Sequence, residues 1–175
     1  NLNFAYKISK NLKIKENIII KALNNFKGLQ HRQEIILSNK KLLCINDSKA
    51  TSFDASLQSL LNYEKIYWIV GGLPKLNDYF NLNNLKNKII KAYIIGNSTV
   101  FFKKQIGNTI PYSISKNIKN AINNIEKDLI LSKDLKSTIL LSPAAASFDQ
   151  FANFESRGEY FKKLINKKFK RKLNV

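Results

Sequence analysis

Four apolar runs of strand length punctuate the chain: "KLLCI" (41–45), "IYWIV" (66–70), "KAYIIG" (91–96) and "STILLS" (137–142). None of them alternates apolar with polar residues. A strand with one wet face must alternate, so these runs predict strands covered on both faces, as in a parallel sheet between helical layers. The intervening segments have the complementary pattern. Phe53, Leu57, Leu60 and Leu61 recur at helical spacing, "LNNLKNKII" does the same, and Ile118, Ala121, Ile122, Ile125 and Leu129 form a stripe that Ser115 is placed to cap. Strand–helix alternation of this kind specifies right-handed βαβ crossovers. "TIPYSI" (109–114) adds a shorter strand, and "QEIILSNKKLLCI" reads as a hairpin turning at Asn39-Lys40. The expected fold is a Rossmann-like α/β domain whose mostly parallel sheet has about six strands, one of them antiparallel, with helices on both faces.

Residues 1–29 do not share this alternation. They read as two short helices, "NLNFAYKISKNL" and "ENIIIKALNNF", with Gly28 as the terminator of the second. A boundary is expected near "GLQHRQE", separating residues 1–29 from a domain over 30–175.

The lone cysteine, Cys44, lies inside an apolar run, so no internal disulfide framework is possible and a buried thiol in a reducing compartment is expected. No apolar stretch approaches the roughly 20 residues that span a bilayer, and the polar N-terminal stretch lacks the apolar core of a secretory signal, so the expectation is a cytoplasmic protein. The net charge of +18, from 30 Lys+Arg against 12 Asp+Glu, raises an alternative, a basic nucleic-acid-binding α/β module. Against it, arginine occurs only at Arg32, Arg157 and Arg171, and the basic tail "NKKFKRKLNV" has few interleaved aromatics and no base-reading pattern. Lysines on solvated faces explain the charge without a partner.

The chemically distinctive side chains follow the predicted strands. Asp47, Lys49 and Thr51 come after the first parallel strand, Gly71, Gly72 and Lys75 after the second, and Ser147 after "STILLS". Open α/β sheets bind ligands outside the carboxyl ends of their strands, so this clustering predicts an anion-binding rim. Each residue also has an ordinary explanation: Asp47 as a turn residue, Lys49 and Lys75 as solvated charges, and Ser147 as a cap for the final helix.

The motifs "HRQE" (31–34), "INDSKATSFDA" (45–55), "GGLPK" (71–75) and "LLSPAAASFDQFANFESRGEYF" (140–161) resemble, in order and spacing, the C-terminal domain of the Mur ligase family, in the branch that joins D-glutamate to UDP-N-acetylmuramoyl-L-alanine (MurD). "GGLPK" departs somewhat, since that branch more often has a polar residue and a glycine before its lysine. The "DNPR" signature of the diaminopimelate-adding branch is missing. The resemblance implies an ATP-dependent amide-forming ligase of peptidoglycan synthesis. It implies nucleotide contacts by Asn1, Arg32 and Asp47, a catalytic Lys49 beside the phosphates, and D-glutamate contacts by Thr51, Lys75, Ser147 and the backbone at Phe154. Asn1 would be the second asparagine of an "HNxxN" motif, and residues 1–29 the close of a central ATP-binding domain. The sequence holds no G-x-x-x-x-G-K-[ST] loop, so the phosphate cradle and the ligands for Mg2+ are expected outside this chain. ATP, D-glutamate and UDP-N-acetylmuramoyl-L-alanine are the implied partners, with no metal site, nucleic acid or membrane. A monomer that is inactive by itself is expected. Arg157 and Glu155 read as an ion pair at a helix start.

Overall fold

A computed structural model describes residues 2–132 and 136–170. The antiparallel hairpin forms where the sequence predicts it: β1 (Glu34–Ser38) turns at Asn39 into β2 (Leu42–Asn46). The Asn39 carboxamide oxygen accepts from the backbone N–H groups of Lys41 and Leu42, both at 2.8 Å, which fixes the turn. The chain then alternates α3 (Phe53–Asn62), β3 (Ile66–Gly71), β4 (Ile89–Ile95), α4 (Thr99–Ile106), β5 (Tyr112–Lys116), α5 (Ile118–Leu131), β6 (Ser137–Leu141) and α6 (Phe154–Ile165).

The six strands lie in the order β1-β2-β6-β3-β4-β5, and every pair except β1–β2 is parallel. The chain steps outward from β3 to β5, and α5 then carries it back to lay β6 between β2 and β3. That reversal makes a topological switch point, where a crevice opens at the carboxyl ends of neighbouring strands. Side chains alternate strictly between the two faces. Ile66, Trp68 and Val70 join Phe53, Leu60, Phe102 and Ile106 of α3 and α4, whereas Tyr67 and Ile69 join Ile118, Ile122, Phe161 and Ile165 of α5 and α6. Both faces are therefore dry, which is why the strand runs carry no polar alternation. Cys44 is buried in the α5–α6 layer, and burial pushes its thiol far above the ordinary range.

Several local expectations are corrected. "LNNLKNKII" is a short 3-10 turn, Asn83–Leu85, followed by the first residues of β4; Ile89 pairs with Ile66 of β3, and that ladder overrides the helical spacing. An eight-residue helix, α4, was hidden in "TVFFKKQI", whose stripe is only Phe102 and Ile106. The short strand starts later than expected, at Tyr112, because Pro111 lacks the N–H that a ladder needs. Ser115 lies within β5, and the cap of α5 is Asn117, whose side chain accepts from Asn120 N at 2.9 Å. Gly28, at φ +81, lies beyond the end of its helix, because Phe26 is already extended.

At the N-terminal end, α1 (Leu2–Asn11) buries none of its residues, and α2 (Glu16–Asn25) buries Ile19 alone. The two are linked through Glu16, which accepts from Tyr6 and from Lys10, both at 2.7 Å. Among the described residues no helix is long and apolar enough to cross a membrane.

Candidate active site

Three loops meet at the switch point: the one after β2, the one after β3 and the one after β6. Asp47 opens the first, and its backbone N–H continues the ladder by donating to Leu141 O at 2.8 Å. Its carboxylate is buried and bridges separate elements. Oδ2 accepts from the Ser59 hydroxyl of α3 at 2.6 Å and from the Ser142 hydroxyl at 2.9 Å, and Oδ1 accepts from Gln33 N at 3.3 Å. Burial raises the pKa of Asp47, opposed by these three donors and by the nearby charge of Arg32.

Ser48, the next residue, is gripped from α6. Its hydroxyl donates to Phe154 O at 2.8 Å and accepts from Arg157 Nε at 3.0 Å, while Arg157 Nη2 donates to Ser48 O at 2.8 Å. The cap of α6 is Asn153, which accepts from Ser156 N at 2.7 Å, so Ser147 does not cap that helix. Nor do Glu155 and Arg157 form a helix-start pair: Glu155 is exposed, whereas the Arg157 guanidinium is buried, and burial pulls its pKa down to about 10. Lys49 donates its backbone N–H to His31 O at 3.0 Å and sets its ammonium 3.8 Å from the centre of the Phe154 ring, a cation–π contact.

Arg32, Gln33, Asp47, Lys49 and Gln58 line a cleft of about 400 Å³ between the 31–34 turn and α3. Two cations that can donate to phosphates and a carboxylate that can accept from ribose hydroxyls stand around that space. Arg32, Asp47 and Lys49 are thus brought together as the sequence suggests, whereas Asn1 lies outside the described residues.

The remaining predicted residues sit on the other side of the switch point. Gly71 and Gly72 both have φ +134, and a Cβ on either would lie 2.0 Å from Ile95 O or 2.3 Å from Ala146 O. Only glycine lets the chain pass there. Leu73 and Ala146 then pair, each N–H donating to the other's carbonyl at 2.9 Å, so the loop bearing Lys75 is stitched to the loop bearing Ser147. Lys75 is exposed, Ser147 is buried, and Thr51 is half-buried at the entrance to α3. Trp68 Nε1 supports the Ser147 loop from below by donating to Ser142 O at 2.7 Å.

Arg157 and Ser48 brace the loop that bears Asp47 and Lys49, a contact that sequence reasoning undervalued. A signal was available, since Arg157 stands on the buried stripe of α6 with Phe161 and Ile165, where a charge needs a specific partner. A larger cavity, about 570 Å³, lies between α5 and α6, away from these loops, and the charges of Lys168 and Glu126 on its rim are paired at 2.8 Å. Among the described residues no group of three or more His, Cys, Asp or Glu is placed to hold a metal ion.

No protein-family model matches the chain. Curated relatives do. The chain is 40% identical over 167 residues to the UDP-N-acetylmuramoylalanine–D-glutamate ligase of Wolbachia sp. subsp. Brugia malayi, a match spanning 95% of the chain and 33% of that protein. The ligases of the same name from Rhizobium meliloti and Rickettsia prowazekii are 39% and 36% identical, over 82% and 94% of the chain and 31% and 37% of their own lengths. Among solved structures, a bifunctional folylpolyglutamate synthase/dihydrofolate synthase from Yersinia pestis, complexed with AMPPNP and a Mn ion, aligns with a TM-score of 0.50 over 86% of the chain and 34% of its own, at 14% identity. That likeness is one of fold. The chain spans about a third of the length of the curated relatives it matches, and with its sequence match to them it belongs to the Mur ligase family, in the branch of the UDP-N-acetylmuramoylalanine–D-glutamate ligases.

Proposed function

We propose that residues 30–175 are the C-terminal, substrate-closing domain of an ATP-dependent ligase that joins D-glutamate to UDP-N-acetylmuramoyl-L-alanine in peptidoglycan synthesis, and that residues 1–29 close the preceding ATP-binding domain. The observation that carries this reading is the 40% identity over 167 residues to a D-glutamate ligase. The convergence of the motif residues on three touching loops supports it.

In the proposed reaction the uridine substrate's carboxylate accepts the terminal phosphoryl group of ATP, and the amine of D-glutamate displaces phosphate from the acyl phosphate to leave an amide. Arg32 and Asp47 hold the nucleotide, the guanidinium suiting phosphate and the carboxylate suiting ribose hydroxyls. Lys49 stabilises charge that develops on phosphate and oxyanion, and its position over the Phe154 ring keeps that cation oriented. Thr51 and Lys75 take one carboxylate of D-glutamate, and Ser147 with the backbone at Phe154 takes the other. The Leu73–Ala146 pairing suits this division, because it couples the two receptor loops. Bound magnesium would neutralise charge on the phosphates, and since no group of three or more His, Cys, Asp or Glu among the described residues is placed to hold it, its ligands would come from other parts of the proposed ligase. The reading carries a cytoplasmic monomer with it.

Substitution in the full-length ligase tests the proposal. Lys75→Ala or Ser147→Ala removes a receptor for one carboxylate, and the loss of a charge-assisted hydrogen bond corresponds to roughly 10- to 150-fold in affinity. The expected signature is a raised KM for D-glutamate with the KM for ATP unchanged. Equal rises for both substrates would overturn the assignment. The isolated chain is expected to release no phosphate from ATP.

A further inference from the structure

The turn that carries Lys75 is held from across the crevice. Asp78 lies just beyond Lys75, and its Oδ2 accepts a hydrogen bond of 3.0 Å from the backbone N–H of Phe53, the first residue of α3. Ser52 occupies the N-cap position yet makes no side-chain cap. The Asp78 carboxylate supplies the missing acceptor, and its charge suits the positive end of a helix. A second contact stands beside the first: the rings of Phe80 and Phe53 stack with centroids 4.4 Å apart and planes 17° apart. Phe80 is itself tied down, its backbone N–H donating to Gln105 Oε1 of α4 at 3.0 Å. On the near side Asp78 N donates to Lys75 O at 3.3 Å, so the carboxylate that grips α3 belongs to the same turn as Lys75.

α3 starts at Phe53, with only Ser52 between it and Thr51. Thr51 and Lys75 therefore stand at the two ends of a single clasp whose middle is the Asp78–Phe53 hydrogen bond. Among the described residues no other polar contact ties the exposed Lys75 turn to α3, so without it the separation of the two receptor groups would depend on the aromatic stack.

We infer that Asp78 is a positioning residue for D-glutamate recognition, setting the distance between Thr51 and Lys75 through its bond to Phe53 N. This rests on the D-glutamate reading above. A bound dicarboxylate needs receptors at a defined spacing, and a loose receptor forfeits affinity by having to be ordered on binding.

Steady-state kinetics of the full-length ligase test the inference. Asp78→Ala is expected to raise the KM for D-glutamate about tenfold, while kcat and the KM for ATP stay within about twofold. Asp78→Asn keeps an acceptor for Phe53 N and is expected to return that KM to within about threefold of the parent value. Should Asp78→Ala not fold, Asp78→Ser, whose hydroxyl is too short to reach Phe53 N, is measured in its place with the same expected rise. A lowered melting temperature with an unmoved KM would overturn the inference, because that is the signature of a purely structural cap. Lys75→Ala, run alongside, separates two failures. A raised KM there with a flat response at Asp78 overturns the clasp alone, and a flat response at both overturns the D-glutamate reading beneath it.

Discussion

Arg157 holds both oxygens of Ser48 at once, Nε reaching the hydroxyl at 3.0 Å and Nη2 the carbonyl at 2.8 Å, although the two residues are 109 positions apart. Arg157 is 1% exposed, and its Nη1 has no hydrogen-bond partner among the described residues. Burying this cation is costly and the charge of Asp149 offsets the cost only in part, so what the contact contributes is the placement of Ser48. Ser48 separates Asp47 from Lys49, and both of those line the cleft. Fixing its two oxygens fixes the loop that aims them.

Arg157→Ala is expected to destabilise the chain. It leaves the Ser48 carbonyl unsatisfied in a dry site, at about 1–3 kcal/mol, with a cavity penalty in addition. Arg157→Lys is not expected to rescue, because one ammonium cannot reproduce two bonds in a fixed fork. Urea denaturation of the three proteins checks this; a loss below about 0.5 kcal/mol in the alanine variant would contradict it.

Asp47 and Lys49 are expected to separate kinetically in the full-length ligase. Asp47→Ala removes the acceptor shared by Ser59 and Ser142, so it should lower stability by about 1–3 kcal/mol and raise the KM for ATP together. Among the described residues the Lys49 side chain makes no hydrogen bond and lies against the Phe154 ring, so Lys49→Ala should lower kcat more than it raises either KM. Melting curves and kinetics measured on the same preparations decide the matter, and a Lys49 variant with normal kcat would remove it from catalysis.

Gly71→Ala is expected to be among the most damaging single-methyl changes available. The added carbon would meet Ile95 O at 2.0 Å at the carboxyl end of the β3–β4 ladder, and φ +134 is foreign to alanine. Backbone strain of this kind costs on the order of 1–3 kcal/mol before any clash is counted. Gly28→Ala is the control, because open space surrounds that position and only its φ of +81 opposes the change. Comparable melting temperatures for the two variants would refute the close-approach argument.

Glu34 predicts a pH dependence of stability. Burial pushes its pKa up, but the Lys162 ammonium at 2.8 Å, the His31 backbone N–H and the Asn46 side chain together outweigh burial and hold it below the ordinary 4.5. A carboxylate depressed in the folded state contributes stability that is fully present above its unfolded value and is lost as pH falls through its folded value. Asp47, shifted upward, acts in the opposite sense, its contribution being lost as pH rises. The informative quantity is thus the difference between the parent and Glu34→Gln, which should be largest near neutral pH and shrink below about pH 4.5. A difference that stays constant down to about pH 3 would rule out the ionised carboxylate as its source.

The sequence by itself determined the layer architecture and the family. Runs such as "IYWIV" lack polar alternation because both faces of a central parallel strand are dry, and that condition is written in consecutive residues. The hairpin was equally legible, since Asn39 makes its turn with its own neighbours. The motif residues could be placed at strand ends for the same local reason. What only the tertiary structure decided was adjacency. Periodicity reports which face of an element is buried but not against what, so the insertion of β6 between β2 and β3, which brings the three loops together, has no local signature. The segment "LNNLKNKII" shows the limit directly: its spacing suits a helix, and pairing of Ile89 with Ile66 made it a turn and a strand. The same holds for Arg157 with Ser48 and Asp78 with Phe53, whose partners are named by long-range packing rather than by any neighbour in the chain. A buried polar side chain must find a hydrogen bond, and the chain's three-dimensional path alone determines which group supplies it.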